Sequence, residues 1–419
     1  MKRTSALFAL VVVLAIGCGP SKSDPTVGGD AGSTTAGAAG VSGAPTAGNG
    51  GSAGATVGLG GALNSAGAGG SPLGASGSGA GIGACTPPAD VFSPIELLSK
   101  TGCVDPSDPR KPIARAISYE LNSPLWSDTA DKSRAFVLPS GTKIHVRDCV
   151  LNAADCPMGL ADDGRWTFPV GTVLIKTFSF DSKLVETRLF MHVDATNWVG
   201  YGYQWDEQQT DAKLVVDRTP VTFKTGSRAV NWTYPSQEDC MKCHNQAGGS
   251  SIGPETAQMN RTVGSENQID HFAALGLFET PPAKPYKAAL VAPYPNQLGS
   301  PPAGATVEQK ARSYLHANCA FCHRPGGTFS IFDLRYDTPL KDTKICNVTI
   351  DKPPIPSAPD KTLNLKPGSS TDSVLWLRMK ELDPSRGRMP QIGSYVADID
   401  GLSLVGSWID SLTSADCSR

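Results

Sequence analysis

Apolar and polar positions alternate over short runs between about residues 113 and 232, with turn-forming residues between the runs. Val, Ile, Thr and aromatic residues are concentrated in these runs, as is typical of β-strands. The predicted strands are residues 143–146, 171–180, 186–193, 198–205 and 213–216. Short strands that follow one another at this spacing favour an antiparallel, sandwich-like sheet or an open barrel.

A helical period replaces this alternation after about residue 300. Thr306 and Gln309 form a capping-box pattern, and the apolar stripe behind it recurs at helical spacing. Residues 373–380 and 400–412 are predicted as a second and a final helix, the last one with an apolar face. The pattern therefore predicts a small all-α domain after the β-rich one.

The N-terminus combines a basic start, an apolar run over residues 6–16 and the dipeptide Gly17-Cys18, as in a secretory signal peptide. Residues 15–18 resemble the lipobox of bacterial lipoproteins, in which the cysteine is acylated. This resemblance implies lipidation at Cys18 and a location in the cell envelope, periplasmic or on the cell surface. Gly19 favours the outer over the inner membrane. Ala15 departs from the usual Leu, so cleavage by an ordinary signal peptidase stays open.

Composition divides the rest of the chain. Residues 19–84 are mostly Gly, Ala, Ser and Thr, which cannot bury enough apolar surface to fold, so we expect a disordered linker. The expected organisation is a signal peptide (1–18), the linker (19–84), a β-rich domain (85–235), a segment with the first of two cysteine motifs (236–300) and a small helical domain with the second (301–419).

The charge is nearly balanced, with 37 Lys and Arg against 39 Asp and Glu and a net charge of -2. No strong basic field or nucleic-acid-binding motif is present, so we expect no nucleic-acid partner. We also find no sequence arrangement that identifies a hydrolytic site, and no catalytic residue is assigned.

The pattern Cys-x-x-Cys-His occurs twice, at residues 240–244 and 319–323. Its two thiols can form thioethers with the vinyl groups of a haem, and the adjoining imidazole then becomes an axial ligand of the iron. The pattern therefore predicts two haem c groups, with His244 and His323 as proximal ligands. The predicted attachment residues are Cys240, Cys243, Cys319 and Cys322. The competing interpretation is a pair of zinc knuckles or disulfides that happen to precede a histidine.

Six cysteines remain besides Cys18 and the four in the motifs. An even number in an oxidising compartment indicates disulfides. Proximity in the sequence favours Cys85–Cys103 and Cys149–Cys156, which leaves Cys346–Cys417 to fasten the C-terminus.

The order of features after residue 300 resembles a class I cytochrome c. A helix enters the second motif, and the dipeptide Met389-Pro390 precedes a closing amphipathic helix. In that family the first and last helices cross, and a loop methionine is the sixth ligand. The resemblance implies His323 as proximal and Met389 as distal ligand. Met379 is the competing sulfur, although its place in an apolar helix fits a core residue better.

The first motif lacks a long preceding helix, so we expect it on an irregular loop that leaves the β-rich region. Its distal ligand is open. Met259 is the tentative assignment, His271 and His316 are further candidates, and a vacant position is the remaining alternative.

Three phrases resemble an uncharacterised family of exported bacterial dihaem c-type cytochromes: residues 119–128 (Tyr-Glu-Leu-Asn-Ser-Pro-Leu-Trp-Ser-Asp), 168–173 (Phe-Pro-Val-Gly-Thr-Val) and 314–319 (Tyr-Leu-His-Ala-Asn-Cys). The likeness covers about residues 98–412. It implies an electron carrier on a lipid anchor that relays single electrons between two haems and a redox partner protein. The alternatives are a dihaem peroxidase-like or small-molecule oxidoreductase with an open first haem, and a binding module that uses the β-rich domain.

Overall fold

Antiparallel strands form the framework of the protein. The computed structural model describes residues 84–147, 164–296, 299–329 and 331–418. Its strands are β1 (Ile117–Ser118), β2 (Asp131–Val137), β3 (His145–Val146), β4 (Trp166–Thr167), β5 (Val173–Phe180), β6 (Lys183–His192), β7 (Trp198–Trp205), β8 (Ala212–Val215), β9 (Thr219–Thr225), β10 (Arg228–Tyr234), β11 (Thr262–Val263) and β12 (Glu266–Asn267). Its α-helices are α1 (Gln237–Cys243), α2 (Thr256–Met259), α3 (Gln268–Ala274), α4 (Val307–Cys319), α5 (Val374–Lys380) and α6 (Ile399–Ser411).

The main sheet has six strands in the order β1-β2-β5-β6-β7-β8, and all its pairings are antiparallel. The β-rich, antiparallel character predicted from the sequence is thereby confirmed. Separate two-stranded sheets pair β9 with β10, β3 with β4, and β11 with β12. The predicted strands correspond to β3, β5, β6, β7 and β8, and the other described strands are additional to them.

The two faces of the sheet bury different side chains, because successive residues of a strand point to opposite sides. Val173 and Ile175 of β5 face a core that includes the Cys85–Cys103 disulfide. Leu174 faces a second core rich in aromatic rings. The β9–β10 hairpin packs over the end of this second face through Trp232. The ring centroids of Trp232 and Phe178 are 5.2 Å apart. The second face is the one that reaches the cysteine motifs.

Capping residues fix the start of both helices that carry the motifs. Ser236 and Asp239 cap α1 reciprocally, and Thr306 and Gln309 do the same for α4. The predicted capping box at Thr306 is confirmed. The first motif therefore starts on a short helix that directly follows β10, whereas the sequence predicted an irregular loop.

The helices α4 and α6 cross at close range. A Cβ atom on Gly401 would lie 2.5 Å from Oη of Tyr314, so the crossing requires a residue without a side chain. Val405, Trp408 and Ile409 of α6 are buried in the core that this crossing closes.

Two of the predicted disulfides are confirmed: Cys85–Cys103 and Cys346–Cys417. The predicted pair Cys149–Cys156 lies outside the described residues, as do the signal peptide with Cys18 and the linker up to residue 83. Within the described ranges no helix has the length and apolarity needed to cross a membrane. The described residues belong to one compact unit.

Candidate functional site: one cavity at both cysteine motifs

Both Cys-x-x-Cys-His motifs reach the same cavity, whose volume is about 290 Å³. The first motif contributes Cys240, Cys243 and His244 to the lining, and the second contributes Cys319 and Phe321. The second face of the sheet forms one wall. Motifs that are 75 positions apart in the sequence therefore form parts of one site.

The first motif is pressed against β7. A Cβ atom on Gly200 would lie 2.7 Å from Sγ of Cys240, so the glycine makes room for this sulfur. Burial raises the pKa of the Cys240 thiol to about 11. Cys240 is thus a neutral, enclosed thiol that points toward a cavity.

A hydrogen bond orients His244. Its Nδ1 lies 2.6 Å from the carbonyl oxygen of Ser250, and a carbonyl can only accept, so Nδ1 carries the hydrogen. The lone pair is then on Nε2, the arrangement that metal-ligating histidines adopt. Burial lowers the pKa of His244 to about 4, which keeps the ring neutral near pH 7. Phe190 covers the ring at a centroid distance of 4.0 Å.

The second motif starts at the last residue of α4. Burial raises the pKa of Cys319 to about 12 and lowers the pKa of His323 to about 4. The His323 ring stacks on Phe332 with a centroid distance of 4.4 Å. His323 does not itself line the cavity, whereas Cys319 does.

The two motifs touch each other. Nδ2 of Asn245 donates to the carbonyl oxygen of Phe321 at 3.0 Å, so the residue after the first motif bonds to the middle of the second. Sγ of Cys322 lies 3.9 Å from the carbonyl oxygen of Lys242. Groups attached to the two motifs would consequently be neighbours.

The cysteines of the motifs differ from the other described cysteines. Cys240, Cys243, Cys319 and Cys322 are thiols, whereas the remaining described cysteines form the two disulfides. Among the described residues, no three or more His, Cys, Asp and Glu side chains are grouped so that they could hold a metal ion. Paired thiols beside a cavity, each pair followed by a partly buried imidazole, fit the attachment of a porphyrin better than a zinc knuckle, which needs four converging ligands.

The methionine predicted for the second haem lies at the cavity. Met389 is half-buried, and its backbone N–H donates to the carbonyl oxygen of Arg378 at 2.9 Å. Met379 also lines the cavity and packs against the core at the α4–α6 crossing. The structure thus brings both sulfur candidates to the site.

The candidates for the first motif's distal ligand lie in three different environments. Met259 is fully buried in the aromatic core, away from the cavity lining, with its Sδ 3.5 Å from Nε2 of Gln268. His271 is half-exposed, and its Nδ1 is 2.6 Å from a carboxylate oxygen of Glu266. His316 is the one of the three that lines the cavity.

Both ring nitrogens of His316 are engaged. The backbone N–H of Tyr336 donates to Nδ1 at 3.1 Å, so the hydrogen of the neutral ring is on Nε2. Nε2 of His316 lies 2.7 Å from Oε1 of Glu255, and Oε2 of Glu255 is 3.6 Å from Nη2 of Arg165. Arg165, Glu255 and His316 are buried and line the cavity, and Arg165 also donates to the carbonyl oxygen of Gly248. The sequence did not indicate this buried polar group, which joins α4 to the loop after the first motif.

Residues 119–128 form a further wall of the cavity. Within this segment, Ser123 donates to the carbonyl oxygen of Ser313 at 3.1 Å, and the backbone N–H of Trp126 donates to Asn318 at 2.7 Å. The carboxylate of Asp128 accepts from the backbone N–H groups of Tyr395 and Val396 at 2.7–2.9 Å. The segment therefore fixes both α4 and the loop that follows Met389.

No family model matches this chain, and neither a curated protein nor a solved structure matches it. The interpretation of the cavity depends on its own residues.

Proposed function

We propose that the protein is an exported dihaem c-type cytochrome that relays single electrons between two covalently attached haems and a redox partner protein. The observation that carries the proposal is the direct contact of two Cys-x-x-Cys-His motifs at one cavity. Haem iron supplies a one-electron couple whose potential depends on its ligands and surroundings. Two such groups side by side would give an electron a short path through the protein.

The residues around the motifs suit this task. Ser250 holds His244 in the tautomer that leaves Nε2 free as a ligand. Phe190 and Phe332 cover the two imidazoles and keep water from them. Burial keeps both rings neutral, so no proton competes with a metal for the ligand nitrogen.

The C-terminal segment supports a class I cytochrome c-like arrangement for the second haem. The α4–α6 crossing and the position of Met389 at the cavity agree with that pattern. Under this proposal His323 and Met389 would hold the iron of the second haem. A thioether sulfur favours Fe(II), so binding by Met389 would raise the reduction potential.

The N-terminal sequence features support a location in the cell envelope. Acylation of Cys18 would anchor the protein to a membrane, where the folded part could meet a partner protein. The outer membrane is the proposed location.

Spectroelectrochemical titration of the protein from a host that matures c-type cytochromes tests the proposal. We expect two one-electron couples. Two low-spin haems that do not bind carbon monoxide would favour the carrier over an enzyme. Replacing Cys319 and Cys322 by Ala should leave one couple, and replacing the disulfide pair Cys85 and Cys103 is the matched control that should leave two. A protein without any haem redox couple would contradict the proposal.

A second candidate is an oxidoreductase, such as a dihaem peroxidase, with an open sixth position at the first haem. The supporting observation is the buried group of Arg165, Glu255 and His316 at the cavity, where it could hold or exchange protons with a small substrate. Because His316 is engaged through both nitrogens, it is a poor sixth ligand. Carbon monoxide binding and peroxide-dependent turnover that falls in Glu255→Gln would favour this candidate over the carrier.

A further inference from the structure

Three cationic side chains form a row across the middle of the main sheet. Arg134 on β2 pairs directly with Lys176 on β5, and Lys176 pairs directly with Arg188 on β6. The row ends at Gly202 on β7, the partner of Arg188. All three cations line the cavity that holds the cysteine motifs. Like charges placed directly opposite on adjacent strands destabilise a sheet, so the row needs a compensating interaction.

One carboxylate compensates part of this charge. Glu186 is fully buried and bonds Arg188 through both oxygens, at 2.7 and 2.9 Å. Its Oε2 also accepts from Nε1 of Trp232 at 2.9 Å. Glu186 is therefore saturated by Arg188 and Trp232, and among the described residues it forms no ion pair with Arg134 or Lys176.

The other two cations have weak partners. Nη1 of Arg134 is 3.4 Å from the carbonyl oxygen of Lys132, and Nζ of Lys176 lies 4.8 Å from the centroid of the Phe178 ring. Within the part of the chain that the structure describes, no carboxylate is within ion-pair distance of either cation. Burial first, and then the charge of Arg134, lower the pKa of Lys176 well below its usual range.

The other carboxylates at the cavity have partners of their own. These residues are Asp128, Asp239, Glu255 and Asp398. The cavity therefore combines an excess of cations with apolar walls and two pairs of thiols. A ligand that complements it would be largely apolar and would carry carboxylates.

We propose that Arg134 and Lys176 form a carboxylate-binding site within the cavity. This inference rests on the proposed function, which supplies suitable carboxylates as the propionates of the haem attached at Cys240 and Cys243. A small dicarboxylate from solution has the same chemistry and is the second source. In either case the ligand's negative charges replace the missing counterions of the row.

The variant Lys176→Met tests this site, because Met keeps the length of the side chain and removes its charge. Holoprotein is compared with and without malonate at constant ionic strength. If Lys176 binds a haem propionate, the variant melts about 5 °C lower, as expected when one partner of a buried ion pair is lost. The midpoint potential of one haem also falls, because a cation that opposed the oxidised state is gone. Added malonate changes neither quantity.

Lys176→Arg should restore the melting temperature and the midpoint potential. The matched control is Lys224→Met, on the exposed side of β9, which should change neither of them. If the site binds a dicarboxylate from solution instead, malonate raises the melting temperature of the wild type in a saturable manner. It does not raise the melting temperature of Lys176→Met. This result also supports the carboxylate-binding site. An unchanged or higher melting temperature in Lys176→Met, together with no response to malonate, would overturn the inference.

Haem counting by mass spectrometry on every sample separates this inference from the proposed function. Two haems in the wild type together with the overturning result would remove the carboxylate site and leave the function intact. A wild type without haem would remove the function, and the malonate response alone would then decide for or against the site.

Discussion

At the scale of single residues, hydrogen bonds decide which side chains can act as ligands. The carbonyl oxygen of Ser250 fixes the hydrogen of His244 on Nδ1 and leaves Nε2 free. The backbone of Tyr336 and the carboxylate of Glu255 engage both nitrogens of His316 instead. Both histidines line the cavity, but His244 has a nitrogen free to bind a metal, whereas His316 is part of a polar network.

The methionines allow a matched comparison at this scale. Under the proposed ligation, Met389→Ala should lower one of the two midpoint potentials by on the order of 0.1 V, since axial ligands spread haem potentials over about 0.8 V. The midpoint potential of the other haem should not change. The measurement is a redox titration followed by optical absorption, in which the sulfur-to-iron charge-transfer band should also be lost.

Met379→Ala is the control, because Met379 lines the same cavity but packs against the core. It should keep both potentials and the charge-transfer band. If Met379→Ala removed the band while Met389→Ala kept it, the two methionines would have exchanged their proposed tasks.

The candidate attachment and ligand residues of the two motifs were readable in the sequence because Cys-x-x-Cys-His is a local pattern. The buried group of Arg165, Glu255 and His316 was not, because its members come from segments about 60 to 90 residues apart and no periodicity connects them. The row of cations was missed for a related reason. Lys176 lies in a predicted strand, but its neighbours Arg134 and Arg188 become neighbours only through strand pairing.

At the scale of elements, periodicity predicted those strands and helices whose burial alternates regularly. The predicted strand 198–205 coincides with β7, and the capping box at Thr306 marks the start of α4. The strand β2 was missed because its first half is polar and charged, and one of these residues, Arg134, lines a cavity inside the protein. A sequence pattern treats such residues as solvent-facing.

The α4–α6 crossing gives a prediction at this scale. Gly401→Ala should destabilise the protein by up to about 2 kcal/mol. The new Cβ would overlap the ring of Tyr314, which costs about 1–3 kcal/mol, and the higher helix propensity of Ala offsets about 1 kcal/mol of that cost. Unfolding in guanidinium chloride measures the change.

Ser403→Ala on the exposed face of α6 is the matched control and should stay within about 0.5 kcal/mol of the wild type. A Gly401→Ala protein as stable as the wild type would show that the two helices can separate without loss.

At the scale of the whole molecule, the β-rich and helical parts are joined at the cavity. Residues 119–128 bond to α4 through Ser123 and Trp126, and to the loop after Met389 through Asp128. In the sequence, this segment stood out only through its proposed resemblance to exported dihaem cytochromes. Its physical task became evident from long-range hydrogen bonds, which leave no local signature in the sequence.

The contact between the two motifs also belongs to this scale. Asn245 bonds to Phe321 across 76 positions of the chain. Nothing in the spacing of the motifs indicated that they would meet, since each is a short signal with its own local surroundings. The proposed electron relay depends on this contact more than on either motif alone.

The intact mass of the mature protein, combined with a pyridine-haem assay, tests the central claim most directly. We predict a mass that exceeds the processed polypeptide by two haem groups, besides any acyl chains at the N-terminus, and a pyridine-haem spectrum that counts two per chain. A mass equal to the polypeptide with its disulfides, and a sample without a haem spectrum, would contradict the account.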